Sequence, residues 1–296
     1  MDVKPLRYFT EIVRSGSFTA AAEKLHVAQP AISMAIRKLE HELAVKLFHR
    51  SERKVHLTDE GEVLYRHAQR ILSDLDEAHL EIAELVGLEK GEVRVGVPGM
   101  MGSYYFPPIL MAFRHAYPNL TLKVIEGGTG MLQNMLEQGD LDLSVIVADR
   151  VPDSLESFPL IREQMLVTVN KEHPFTAFEA ITAQQFFQEE LVLFREGYFH
   201  RKTVDNLARA HGAKPNVGFE TNLIALIKSI VRNGFGISTL LSMVIEPHDQ
   251  LVTRPFSPGI WLDLNIAWRK DGYLSKANQA FLNFLLEHAQ RNTKQS

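Results

Sequence analysis

The sequence contains no cysteine. Disulfides, cysteine-ligated zinc, iron–sulfur clusters and thiol nucleophiles are therefore excluded, and a reducing compartment is in keeping with that. No run of about 18 apolar residues occurs, so no membrane-spanning helix is expected. The N-terminal MDVKPLRYFTEIV lacks a basic segment followed by an apolar core. A secretory signal is not expected there, and the reading is of a cytoplasmic protein. Catalytic signatures are missing too. There is no G-x-S-x-G elbow, no H-E-x-x-H pair and no P-loop ending in GK[ST]. The 12 histidines are scattered. Glu137, Asp140 and Asp142 resemble a metal cluster only in composition, because Asp140 and Asp142 fit a turn entering a strand. Neither a catalytic site nor a metal or cofactor is expected. No internal repeat or low-complexity tract is visible.

The 296 residues leave room for two or three domains, and 45% hydrophobic with 23% charged residues is the composition of a globular chain. A net charge of −4 conceals a split: residues 1–58 carry ten Lys/Arg against six Asp/Glu, and the remainder 22 against 30. A basic head on an acidic body points to a polyanionic partner for the head.

Within that head, Phe18 to Lys38 reads as two short helices around a tight turn. The first is rich in alanine (Ala20, Ala21, Ala22), which permits close approach, and Ser17 or Thr19 caps it. The second starts just before Pro30, a residue tolerated in a helix's first turn. Leu6, Phe9 and Val13 of a preceding helix complete a core with Phe18, Ala21, Leu25, Ile32, Ile36, Leu39 and Leu43. Gln29, Ser33, Met34, Arg37 and Lys38 then face outward. Gln suits an adenine edge, Arg and Lys guanine or phosphate, and Ser either. This is a helix-turn-helix, whose second helix enters the DNA major groove. Val45 to Leu57 reads as a two-stranded wing with a basic tip, Arg50, Arg53 and Lys54, for backbone contacts.

Residues 59–88 form one predicted helix with Leu64, Ala68, Ile71, Leu75, Ala78, Ile82 and Leu85 at alternating spacings of four and three. That seam predicts a coiled coil and hence a dimer. After a glycine- and charge-containing hinge the texture changes. Strands at 92–97, 120–125 and 141–147 alternate with helices at 105–115 and 131–138, a βαβαβ run that implies a parallel sheet. A second α/β unit follows. Its strands are expected near 160–169, 191–194, 217–219, 236–240, 251–254 and 262–268, and its helices near 182–187, 199–211, 222–232 and 275–290.

Residues 3–65 resemble the N-terminal winged helix-turn-helix of LysR-type transcriptional regulators, through SFTAAAEKL, QPAIS, IRKLE, LFHR and HLTDEG at their spacings. GEVRVGV, HAYPNLTL, GDLDLSVI and NGFGISTL extend the resemblance along the chain. It implies an α/β protein with an all-α winged helix-turn-helix head and a two-lobed effector domain similar to type 2 periplasmic binding proteins, joined by a long linker helix. The expected domains are a DNA-binding head (1–58), a dimerisation helix and hinge (59–90), and an effector domain (91–296) whose lobes are about 91–161 with 268–296, and 162–267. Double-stranded promoter DNA, a small-molecule effector, RNA polymerase and further copies of the chain, as dimer and tetramer, are the implied partners. DNA contacts are expected from Ser17, Thr19, Gln29, Pro30, Ser33, Arg37 and Lys38, with Met34 a departure from the family's usual polar residue. Ala44 stands where the family often has glycine.

By the same resemblance the effector lies at the C-terminal ends of strands, where open α/β sheets bind ligands. Gly99, Met100, Met101, Gly102 and Ser103 follow the first strand of the effector domain. Thr129 opens a helix. Phe194, Arg195 and Tyr198 follow another strand, and Glu220 and Thr221 a further one. Helix N-termini and Arg195 favour a small carboxylate. The competing reading is a small-molecule-binding protein or enzyme on the same scaffold, against which the DNA-binding head argues.

Overall fold

In the computed structural model, residues 2–49, 55–85, 91–149 and 151–293 are described. The chain divides into two units, 1–88 and 89–296.

In the first unit, helical spacing of Leu6, Phe9 and Ile12 gives α1 (Val3–Ser15), which ends at Gly16 in the left-handed region, φ 64°. Ser17 is the cap of α2 (Phe18–Lys24): its hydroxyl accepts from the amides of Thr19 at 3.2 Å and Ala20 at 3.5 Å. The following α3 (Gln29–Leu43) carries Pro30 in its first turn. All ten head residues expected in the core lie in, or packed against, one apolar cluster, joined by Ile12, Leu47, Phe48 and Ala68. Strands β1 (Phe48–His49) and β2 (His56–Leu57) pair antiparallel as the stem of the wing. Its tip residues Arg50, Arg53 and Lys54 lie outside the described residues. Thr58 then locks the entry to α4 (Asp59–Leu85), accepting from Gly61 N at 3.0 Å and donating to Lys46 O at 2.6 Å. A Cβ on Gly61 would lie 2.2 Å from the Leu47 carbonyl, so only glycine lets the helix approach the wing this closely.

The second unit opens with β3 (Glu92–Val97), a π-helical turn at Met101–Tyr105, α5 (Phe106–Ala116), β4 (Thr121–Glu126), α6 (Thr129–Glu137) and β5 (Leu143–Val147). The three strands are parallel in the order β4-β3-β5. Asp142 receives the Arg94 amide at 2.7 Å and its guanidinium at 2.6 Å, which ties the turn before β5 to β3. This is the structural role expected of that carboxylate.

The rest of the unit is β6 (Leu155–Asn170), β7 (Ile181–Thr182), α7 (Ala183–Phe186), β8 (Glu190–Leu193), α8 (Phe199–Ala210), β9 (Asn216–Glu220), α9 (Ile224–Arg232), β10 (Ser238–Leu241), β11 (Leu251–Arg269) and α10 (Lys276–Thr293). The segments expected as two strands at 251–254 and 262–268 are one strand, β11. It runs antiparallel to β6 from Leu251↔Asn170 to Arg269↔Leu155, with a register break between Pro255 and Ile260. The prolines at 255 and 258 stop the alternation in the sequence; in the sheet they sit at the irregularity, where a missing N–H is tolerated. Strands β8 and β9 form a separate parallel pair. β10 pairs with β6 antiparallel, and Ile237 just before it bridges Leu191 of β8, which links the β8/β9 pair to the larger sheet.

Candidate DNA-binding face and ligand cavity

Helix α3 buries Ile32, Ile36 and Leu39 and leaves Gln29, Pro30, Met34, Arg37 and Lys38 exposed, with Ser33 half-buried. Met34 is 68% exposed, unusual for so apolar a side chain. The Gln29 amide donates to Ser33 Oγ at 2.8 Å, which fixes both on one side of the helix. Ser17 is occupied as the α2 cap, and Thr19 is exposed beside it.

Glu40 was missed in the sequence, where it reads as one more solvated charge. It is buried, and its carboxylate accepts from Leu47 N at 3.0 Å and Lys46 Nζ at 3.1 Å. It thus anchors the end of α3 to the start of the wing. Between them Ala44 adopts φ 55°, ψ 29° and is exposed. Its Cβ crowds the backbone there, which a glycine would avoid. Ala44→Gly is expected to raise the stability of the head by about 1 kcal/mol, read as a higher denaturation midpoint followed by circular dichroism with an unchanged denaturant slope.

The α4 seam has two parts. Ala68 is fully buried and Leu64 packs beside it in the head's own core. Ile71, Ala78 and Ile82 are exposed, Ile82 to 61%, and Leu75 is half-buried. The Leu85 side chain lies outside the described residues.

In the second unit a cavity opens at the C-terminal ends of β3, β4, β5 and β8. It is lined by Gly99, Met100, Met101, Thr129, Phe194 and Tyr198 from the expected set. Gly102, Ser103, Arg195, Glu220 and Thr221 do not line it, each for a visible reason. Gly102 N donates to Pro98 O at 2.9 Å within the π-helical turn, which leaves Ser103 exposed. The Glu220 carboxylate is held by Arg201 at 2.7 Å. Thr221 Oγ1 accepts from Leu223 N at 3.2 Å ahead of α9. Arg195 is exposed; its amide, not its guanidinium, holds Asn222 Oδ1 at 2.9 Å. No Lys or Arg is among the residues lining this cavity; Arg201, Lys202 and Arg209 line an adjoining cleft that shares Thr129, Val147, Tyr198 and Phe199 with it.

Residues the sequence reading missed complete the wall, notably Phe199, His200, Asn222, Ile224, Leu262 and Leu264. Leu262 and Leu264 come from the middle of β11, which alternation alone reads as plain core. At the mouth, Tyr198 OH donates to Glu126 Oε1 at 3.5 Å. Burial, and then the Glu126 charge, raise the tyrosine's pKa. A Cβ on Gly128 would lie 2.3 Å from Gly197 O, so the β4–α6 loop and the loop before α8 touch backbone to backbone. Burial pushes His200 down to about 4, so the imidazole is neutral at physiological pH.

A winged helix-turn-helix with an exposed polar face, and a two-part α/β unit with a cavity at its strand ends, define a ligand-responsive DNA-binding regulator. The chain belongs to the LysR-type family of transcriptional regulators. Residues 3–62 match the family described as bacterial regulatory helix-turn-helix protein, lysR family, and residues 87–290 match the LysR substrate binding domain. The chain is 35% identical over 286 residues to the uncharacterized HTH-type transcriptional regulator YwbI of Bacillus subtilis, covering 95% of both chains. A cysteine-substituted full-length OxyR from Pseudomonas aeruginosa superposes with a TM-score of 0.72 at 27% identity, over 98% of this chain and 95% of that one. CbnR bound to its target DNA shares the fold, with a TM-score of 0.62 at 22% identity over 98% and 99% of the two chains. The protein is a DNA-binding transcription regulator with an effector-binding domain, and not an enzyme. No helix among the described residues is long and apolar enough to cross a membrane.

Proposed function

We propose that this protein reads promoter DNA in the cytoplasm as a symmetric assembly and is switched by a small molecule held in the cavity of residues 89–296. Gln29, Pro30, Ser33, Arg37 and Lys38 contact bases and phosphates, with Met34 as an apolar contact and Ser17, Thr19, Arg50, Arg53 and Lys54 on the backbone. The observation that carries this reading is the outer face of α3, where Gln29, Arg37 and Lys38 are exposed while Ile32, Ile36 and Leu39 are buried on the other side. The exposed part of the α4 seam, Ile71 to Ile82, supports pairing of two chains, since an apolar stripe left in water favours a partner helix. Pairing of dimers into tetramers, and a response passed to RNA polymerase, follow from the same assembly.

The effector acts only if it binds two conformations unequally. Here the lobes 91–161 with 268–296 and 162–267 close on it, and closure changes the spacing of the DNA-binding heads. Arg37→Ala is expected to weaken operator binding by about 1–3 kcal/mol and to relax base preference at one position, measured by gel shift over a series of operator variants. An undiminished affinity would remove Arg37 from the contact set. Lys38→Ala is the comparison, because loss of a phosphate contact weakens all sequences alike and reduces the salt slope.

A further inference from the structure

The first turn of α8 brings to the cavity wall an imidazole nitrogen without a hydrogen-bond partner among the described residues. His200 is 8% exposed, and its Nε2 is buried with no hydrogen-bond partner. The ring packs at 4.9 Å against Phe194 and lines the cavity together with Pro98, Met101, Phe199, Leu241 and Leu262. A buried polar atom without a partner costs about 1–3 kcal/mol, and in a native site it marks a place where something else completes the bond.

The surroundings restrict what that is. The lining residues include no Lys, Arg, Asp or Glu. A carboxylate placed against His200 would lose its hydration without a charged residue of this wall to offset it, because Arg201, Lys202 and Arg209 line the adjoining cleft instead. The walls are apolar, so most of the occupant is apolar as well. A neutral imidazole offers one donor nitrogen and one acceptor nitrogen. A hydroxyl both donates and accepts, so it satisfies Nε2 in either tautomer; an ether or a ketone only accepts and serves one.

Building on the reading of this cavity as the effector's seat, we infer that the effector is an uncharged small molecule with an apolar body and a hydroxyl group, selected by a hydrogen bond to His200 Nε2. His200 is then the specificity-determining residue of the site. The signal was absent from the sequence, where a histidine one residue after two aromatics reads as a helix surface position.

The test is calorimetric titration of the full-length protein near neutral pH with matched probes: benzyl alcohol against benzoate, and cyclohexanol against cyclohexanecarboxylate. Saturable binding of the alcohols, at least about tenfold tighter than the matching carboxylates, is expected, with a loss of about tenfold or more in His200→Phe and partial retention in His200→Gln. Independently of any variant, the His200 imidazole nitrogen resonances of the wild-type protein should shift as benzyl alcohol is added. The inference is overturned if the carboxylates bind more tightly, if no alcohol binds, if His200→Phe binds the alcohols as wild type does, or if the resonances stay still. Ile224→Trp, which fills the cavity, separates the two levels. If it abolishes binding of whichever probe series the wild type prefers, the cavity is the seat and only the hydroxyl selectivity is in question. If binding survives it, the seat itself is elsewhere.

Discussion

Asp249→Ala is expected to destabilise residues 89–296 by about 3–5 kcal/mol. Lys228 and Asp249 are 5% and 4% exposed, and their charged atoms are 2.6 Å apart. Burial works against the ionised Asp249, but the hydrogen bond from Lys228, the Glu246 amide and the Lys228 charge outweigh it and hold the carboxyl below its ordinary range. The ammonium also sits 4.8 Å from the centre of the Tyr104 ring. The pair therefore fastens α9 both to the turn at Pro247–Asp249 and to the π-helical turn beside the cavity. Removing the carboxylate strands a buried ammonium, and that uncompensated charge, more than the lost contact, sets the cost. Both tryptophans, Trp261 and Trp268, lie in this unit, so intrinsic fluorescence follows its unfolding without interference from the head. A melting temperature lowered by roughly 10 °C is expected. Replacing both partners, Lys228→Met with Asp249→Leu, should restore most of it, because a well-packed apolar pair carries no desolvation penalty. A single variant that melts with the wild type would show that the pair is solvated.

The second large effect is on pH dependence. Burial lowers the His200 pKa to about 4 in the folded protein, against its ordinary 6.5 when unfolded. Between these values the unfolded chain binds more protons, so stability rises with pH. The contribution is complete above 6.5 and is lost as the pH falls to about 4, a span worth about 3 kcal/mol. The cavity offers the protonated ring no compensation: Tyr198 is the other titratable lining residue, and its hydroxyl is directed to Glu126. Denaturant melts by tryptophan fluorescence across this window should show the loss in wild type and a flattened profile in His200→Phe. Equal slopes in the two proteins would mean that the imidazole reaches solvent and keeps its ordinary value. The Asp249 carboxyl is held below its ordinary 3.8, so its own pH dependence falls below this window.

Much of the head was legible because its determinants are local. The spacing of Leu6, Phe9, Ile32, Ile36 and Leu39 marks the buried faces, and Gly16, Ser17 and Pro30 mark helix ends through backbone chemistry that depends on a few neighbours. Even the strain at Ala44 could be anticipated from one substitution. Glu40 could not: its burial depends on Leu47 and Lys46 folding back over it. In the α4 seam the heptad spacing was plain, but spacing does not reveal that Ala68 and Leu64 already have a partner within the head while Ile71, Ala78 and Ile82 do not.

The cavity was less legible for the same reason. Loops at the ends of β3, β4 and β8 were foreseeable from the alternation of strands and helices. Arg195 was an attractive anion ligand only because a sequence does not say which way a loop residue faces. His200 was invisible because its character comes from the walls that Phe194, Leu241 and Leu262 build around it.

The sequence by itself determined the class of this protein: the helix-turn-helix, the wing, the heptad seam and the α/β alternation all follow from short-range pattern and propensity. Tertiary structure alone decided the fusion of β11 across its prolines, the burial of Lys228 with Asp249, and the composition of the cavity wall. Those depend on contacts between residues far apart in the chain, where burial strips water from a group and changes what the same side chain can do.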